Sequence, residues 1–66
     1  MKRQFAERLR RARLERGWSQ ERLARALGVS KYTVQRWEAG KTHPTSQVII
    51  EQIKAVLGGR VFNEVP

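Results

Sequence analysis

Apolar side chains recur every three or four residues along most of this chain, which is the spacing of one face of an α-helix. The pattern predicts four short helices and a tail, at about residues 2–16, 20–27, 31–39, 46–57 and 58–66. The tail reads either as a short extended segment or as a frayed end. We therefore expect an all-α fold of four short helices that forms one domain over residues 1–66.

The second and third predicted helices are joined by a sharp turn. Ser19 and Ser30 precede them, and serine is a good N-cap because its hydroxyl accepts a hydrogen bond from a free amide of the first turn. Gly28 between them tolerates the left-handed backbone that such a turn needs. Val34 and Trp37 share the inner side of the third helix, so its polar residues lie elsewhere. Two short helices joined in this way are the arrangement that lays one helix in the major groove of DNA.

The charge of the chain is unevenly distributed. The formal net charge is +8. Residues 1–41 carry 12 basic and 4 acidic side chains, whereas residues 42–66 carry two of each. A localised basic excess is typical of proteins that bind polyanions. Charge alone also leaves acidic membranes and acidic protein partners open, as well as RNA binding without sequence preference.

Several functional classes find no support in the sequence. Cysteine and aspartate are absent, and His43 is the single histidine. Because no nucleophile lies beside a plausible base and no glycine-rich phosphate loop is present, we expect no enzyme, no cofactor and no metal site. No apolar run approaches the roughly 20 residues of a membrane span, and the N-terminus lacks a signal-peptide pattern. We therefore expect a cytoplasmic protein with no membrane partner.

The segment from Ser19 to Gly40 carries a resemblance. The residues that carry it most directly are Ser19-Gln20, Leu23-Ala24, Leu27-Gly28-Val29-Ser30, Trp37-Glu38 and Gly40, with Leu9, Arg13, Gly17 and Pro44 fitting around them. This set resembles the phage Cro/repressor (XRE-type) helix-turn-helix family. The resemblance implies a compact bundle of four or five short helices. It implies that the third helix enters the major groove and the second lies across it. It also implies a bacterial or phage regulator of transcription that is associated with the nucleoid and binds a palindromic operator as a homodimer.

Four polar side chains of the third predicted helix are candidates for reading bases: Lys31, Tyr32, Gln35 and Arg36. Residues near the start of a recognition helix reach furthest into the groove. Lys31 and Arg36 have donors for guanine O6 and N7, and Gln35 has a donor and an acceptor for adenine. Tyr32 suits a thymine methyl group or a phosphate. The alternative is an ordinary solvated helix face.

A second group is expected to contact phosphates: Ser19, Gln20, Ser30, Thr33, Lys41, Thr42 and His43. The free amides of a helix N-terminus favour an anion, which supports the members at the starts of the second and third helices. For Gln20 the resemblance implies a bond to a DNA phosphate and a brace for the recognition helix. For residues 41–43 it implies a loop that touches the sugar-phosphate backbone.

Two further pairs of residues have predicted structural roles. The resemblance implies an ion pair between Arg13 and Glu38 that joins the first helix to the end of the third. Trp18 and Trp37 suit base stacking in a single-strand binder. Their places in the apolar pattern favour core packing instead.

The sequence therefore predicts a sequence-specific binder of double-stranded DNA, a transcriptional repressor whose recognition helix spans residues 31–39. The alternative is a protein–protein module, because members of the family that the chain resembles also act as antitoxins and as bridging factors in transcription. The fourth helix offers Val48 and Ile50 for that purpose, and the tail offers Val61, Phe62 and Val65.

Overall fold

Helices account for every regular element of the computed structural model, which describes residues 2–62. In chain order they are α1 (Lys2–Glu15), α2 (Gln20–Leu27), α3 (Lys31–Glu38), α4 (Gln47–Leu57) and a 3-10 helix (Gly59–Phe62). The predicted all-α bundle is thereby confirmed.

The helix boundaries differ from the predicted ones by one residue at three ends. α1 stops early because the amide of Arg16 donates to the carbonyl of Arg13 at 3.1 Å, which tightens the last turn to the i−3 pattern. Ala39 and Ser46, predicted as helix ends, are the C-cap of α3 and the N-cap of α4. Such differences arise because cap residues are only half helical.

The segment after α4 is neither extended nor frayed, so that prediction was wrong for the described residues. Gly59–Phe62 forms one turn of 3-10 helix, and Val61 is buried in it. The ring of Phe62 stacks on that of Phe5 in α1, with the ring centroids 5.2 Å apart. The free energy gained by burying these apolar groups offsets the backbone entropy that the glycine of the turn loses on folding. Residues 63–66 lie outside the described part of the chain.

The core lies where α1, α2, α3 and α4 meet. Its buried side chains are Phe5, Leu9, Leu23, Ala24, Leu27, Val34, Trp37, Ile53, Leu57 and Val61. Phe5 and Trp37 meet edge to face, with ring centroids 6.3 Å apart, which is a favourable arrangement for two aromatic rings. This core holds the inner side of α3 and leaves the opposite side in contact with solvent.

α2 and α3 each begin with the N-cap that the sequence predicts. The Ser19 hydroxyl accepts from the amide of Arg22 at 3.0 Å, and that of Ser30 accepts from the amide of Thr33 at 3.1 Å. Gly28 ends α2 with φ 73°, in the left-handed region that glycine adopts without strain. Gly28 and the Ser30 cap fix the path of the α2–α3 turn and therefore the direction in which α3 leaves it.

Candidate nucleic-acid interface

α3 separates its side chains into two faces. Val34 and Trp37 are buried in the core, whereas Lys31, Tyr32 and Gln35 are exposed. With the half-buried Arg36 at its edge, this second group is called the polar face of α3 below. The four base-reading candidates thus lie on one short helix whose other side is anchored in the core.

Two members of the polar face are in contact with each other. Arg36 Nη1 donates a hydrogen bond to the Tyr32 hydroxyl at 3.1 Å. The same guanidinium lies over the phenol ring, with its Cζ atom 5.4 Å from the ring centroid. This contact between the two residues is not among the predictions made from the sequence. Their spacing of four residues is the signal that would have linked them, because such residues are neighbours on a helix surface.

The start of α3 presents a pair of hydroxyl groups. Ser30 Oγ and Thr33 Oγ1 share a hydrogen bond of 2.9 Å in addition to the capping bond that Ser30 accepts. Ser30 is exposed and Thr33 is half-buried. Hydroxyl groups beside the free amides of a helix N-terminus suit a phosphate group.

A network of hydrogen bonds joins α1, the start of α2 and the end of α3. Arg13 Nε donates to Glu38 Oε2 at 2.7 Å, and Arg13 Nη2 donates to Glu38 Oε1 at 3.0 Å. Arg13 Nη1 donates to the carbonyl of Trp18 at 2.7 Å, and Gln20 Nε2 donates to Glu38 Oε1 at 3.0 Å. These four residues are called the Arg13 junction below. The side chains of its ion pair are only 9% and 5% exposed.

The Arg13 junction places Gln20 in contact with the end of α3. Two parallel bonds between a guanidinium and a carboxylate fix both groups in orientation as well as distance. A carboxamide has two N–H donors and an oxygen acceptor, so the bond from Gln20 to Glu38 leaves one N–H for another partner. Gln20 is half-buried, and the remaining donor is chemically suited to a phosphate oxygen.

The loop between α3 and α4 carries the remaining phosphate candidates. The amide of Lys41 donates to the carbonyl of Arg36 at 3.0 Å, which closes the end of α3. The side chains of Lys41 and His43 are exposed and that of Thr42 is half-buried. The loop is therefore anchored to α3 by its backbone while its basic side chain stays in solvent.

His43 also borders a shallow cleft of about 320 Å³. The cleft lies between α1, this loop, α4 and the 3-10 helix, and it is lined by Gln4, Phe5, Arg8, His43, Pro44, Ile50, Val61 and Phe62. These side chains are mostly apolar and include no carboxylate or serine. Among residues 2–62 no three histidine, cysteine or acidic side chains are grouped as metal ligands would be.

The two tryptophans have different surroundings. Trp37 is buried, which confirms its predicted place in the core. Trp18 packs against the core but is half-buried, and the guanidinium of Arg22 lies 5.4 Å from its ring centroid. This cation–π contact could not be predicted from the sequence, because it depends on how the α1–α2 turn directs the indole.

A family model described as helix-turn-helix matches residues 9–56. The chain belongs to the Cro/repressor-like (XRE-type) helix-turn-helix family. Neither a curated protein nor a solved structure matches the chain. Membership in the helix-turn-helix family supports DNA binding of the transcription-regulator type.

The match takes in the helix-turn-helix and the elements around it. Residues 9–56 contain the Arg13 junction, all of α2 and α3, and the loop that follows α3. The candidate DNA-facing residues of this helix-turn-helix protein therefore all lie within the part that defines the family. As a separate finding, none of the described helices is long and apolar enough to cross a membrane.

Proposed function

We propose that this helix-turn-helix protein binds double-stranded DNA at specific sequences and represses transcription. The observation that carries the proposal is the division of α3 into a buried inner side and an exposed polar face. A helix anchored in this way presents polar side chains to a groove without movement of the core. Membership in a family of DNA-binding regulators supports the same function.

In the proposed complex α3 lies in the major groove. Lys31 and Arg36 donate to guanine O6 and N7, and Gln35 pairs with adenine N6 and N7. Tyr32 lies at the same surface, where thymine methyl groups and phosphates are also within reach of an aromatic side chain. Each good base contact contributes about 1–3 kcal/mol of discrimination against the wrong base.

Phosphate contacts set the register of α3 in the groove. We assign them to the starts of α2 and α3 and to the α3–α4 loop, that is to Ser19, Gln20, Ser30, Thr33, Lys41, Thr42 and His43. The net charge of +8 supports this assignment, because neutralised phosphates release counterions. Affinity should therefore fall steeply as salt is raised.

We further propose that two copies bind one palindromic operator. Two-fold symmetry of the protein then matches two-fold symmetry of the DNA, with half-sites about 34 Å apart. Each α3 would read one half-site in successive major grooves on the same side of the duplex. Such a protein acts at the nucleoid.

The experiment that tests the function is selection of the purified chain against a randomised duplex pool at moderate salt, followed by sequencing. We expect a recovered motif, and a palindrome in it would give the half-site spacing directly. Salt-sensitive binding with no enriched motif would contradict base reading and leave only contacts with the DNA backbone.

A protein–protein module is the second candidate, and one observation favours it. Val48 on α4 is 76% exposed, so its apolar side chain is accessible to a partner protein. Two of the other residues predicted to serve a partner, Val61 and Phe62, instead pack on the bundle, and Val65 lies outside the described residues. Val48→Ser should leave DNA binding unchanged if α4 serves a separate partner. Weaker binding to an isolated half-site would contradict that separation.

A further inference from the structure

We propose that Tyr32 acts through Arg36, and that the two side chains work as one unit that reads a single guanine. The inference rests on the proposed function and makes it more specific. In this arrangement Arg36 touches the base and Tyr32 is a positioning residue. The recognition site must then contain a guanine whose contribution to affinity depends on both side chains.

The contact between the two residues has two components. The guanidinium of Arg36 lies over the Tyr32 ring at 5.4 Å, and its Nη1 donates to the phenol oxygen at 3.1 Å. Tyr32 is 63% exposed, so its ring is not held by the core for packing reasons. A guanidinium that lies over a ring and also donates to its hydroxyl has little freedom to rotate. The tyrosine therefore restrains an arginine that would otherwise sample many rotamers.

The bond to Tyr32 engages only one side of the guanidinium. Arginine has five N–H donors in a planar fork, and the N–H groups of Nε and Nη2 lie parallel along one edge. Since Tyr32 is bonded by Nη1, the edge formed by Nε and Nη2 stays available. This edge matches two acceptors side by side, which guanine presents in the major groove as O6 and N7.

The nitrogens of Arg13 are divided between an anchor and a pair of acceptors in the same way. Its Nη1 is anchored on the carbonyl of Trp18, and its Nε and Nη2 donate together to the two oxygens of Glu38. Arg36 is anchored at the same nitrogen, with the Tyr32 hydroxyl in place of the carbonyl. In Arg36 the paired acceptors are those of a ligand, and guanine is the base that offers them.

The test uses the duplex that the wild-type chain recovers from a randomised pool, with each guanine replaced in turn by 7-deazaguanine. This replacement removes the N7 acceptor and keeps the base pair. We expect one position at which it weakens wild-type binding on the order of 10-fold, because a hydrogen bond to a charged group is lost. Arg36→Ala should bind the replaced and unreplaced duplexes equally well.

Tyr32 variants then separate positioning from direct reading. With Tyr32→Ala the penalty for 7-deazaguanine at that position should shrink by about 2- to 5-fold, the size expected from an exposed cation–π contact. Tyr32→Phe keeps the ring and loses the hydroxyl, so its penalty should lie between those of the wild type and Tyr32→Ala. Gln35→Ala is the matched control on the same face and should keep the full wild-type penalty. Thermal unfolding of each variant verifies that it is folded.

Three results would overturn the inference. Tyr32→Ala with the full wild-type penalty would mean that Arg36 needs no positioning. Equal loss of affinity on every duplex would make Tyr32 a backbone contact. Replacement of a thymine by uracil that weakens the wild type but not Tyr32→Ala would make Tyr32 a direct reader. If the wild type recovers no motif at all, the proposed function itself fails, and this outcome is distinct from the other three.

Discussion

Arg13 in α1 and Arg36 in α3 have the same chemistry and different surroundings. Arg13 is buried in the junction, where a carboxylate and a backbone carbonyl accept from all three of its nitrogens. Arg36 lies at the polar face, where a phenol hydroxyl accepts from one nitrogen. The comparison teaches that the acceptors around a guanidinium, more than its place in the sequence, decide whether it serves the fold or a ligand.

The physical reason is the different cost of leaving a donor unpaired. A charge in the protein interior has lost its water, so it is tolerated only when its partners supply complete hydrogen bonding. A charge at the surface keeps water on its free donors at little cost and gives that water up when a ligand arrives. The Arg13 junction therefore fixes the position of α3, while Arg36 keeps the donors with which the proposed complex forms.

The largest expected effect comes from removing the acceptor of the buried arginine. Glu38→Ala leaves the charge of Arg13 buried without its paired acceptors and also removes the partner of Gln20. We expect the free energy of unfolding to fall by about 3–5 kcal/mol, as for other buried pairs that lose one partner. Urea unfolding followed by tryptophan fluorescence measures this change, provided that the slope with denaturant stays constant.

The matched control for that prediction is Glu51→Ala on α4. Glu51 forms an exposed pair with Lys54 at 4.0 Å and is exposed itself. Its removal should change stability by less than about 1 kcal/mol, because water screens the pair. Similar losses of stability for Glu38→Ala and Glu51→Ala would contradict the comparison, since the cost of removing a partner would then not depend on burial.

The next effect concerns Arg36 and appears in binding. Arg36→Ala should leave the free energy of unfolding within about 0.5 kcal/mol, since no buried partner is stranded. It should lower discrimination at one base position by about 1–3 kcal/mol. Competition binding on the recovered duplex and its single-base variants measures that loss. An Arg36→Ala chain that unfolds as easily as Glu38→Ala would assign Arg36 to the fold instead.

Much of the fold and of the candidate site could be predicted from the sequence, because the helices, their caps and one side-chain contact involve residues close together in the chain. The four helices follow from apolar spacing, and the caps at Ser19 and Ser30 follow from residues a few positions apart. The pairing of Arg13 with Glu38 came from the family resemblance. The Tyr32–Arg36 contact was within reach of the same reasoning, because residues four apart on a helix are neighbours.

Other parts of the structure depend on the path of the chain in space. The carbonyl of Trp18 accepts from Arg13 only because the α1–α2 turn aims it at that side chain. The 3-10 helix after α4 forms because Val61 and Phe62 find apolar neighbours there, Phe5 of α1 among them. A sequence pattern states which residues are apolar, but it does not state which distant element will cover them.

A smaller effect is expected at Gln20, the residue of the junction that also faces the proposed DNA. Gln20→Ala removes one hydrogen bond to Glu38, whereas the two bonds that Glu38 accepts from Arg13 remain. We expect stability to fall by about 1 kcal/mol. Affinity should fall by a similar factor on every duplex, because a phosphate contact carries no base information. Urea unfolding measures the loss of stability, and binding to matched and mismatched duplexes measures the loss of affinity. A loss of affinity confined to one base pair would contradict the phosphate role.

The smallest effect is expected at Lys41, which is exposed in the loop after α3. Lys41→Ala should leave stability within about 0.5 kcal/mol. If its ammonium neutralises one phosphate, binding should weaken on all sequences alike, and the slope of log affinity against log salt should decrease by about 1. Arg60→Ala removes the same charge at an exposed position of the 3-10 helix, so it controls for net charge. Equal slopes for the two variants would mean that Lys41 contributes only to the overall field, and the loop would then lie away from the DNA.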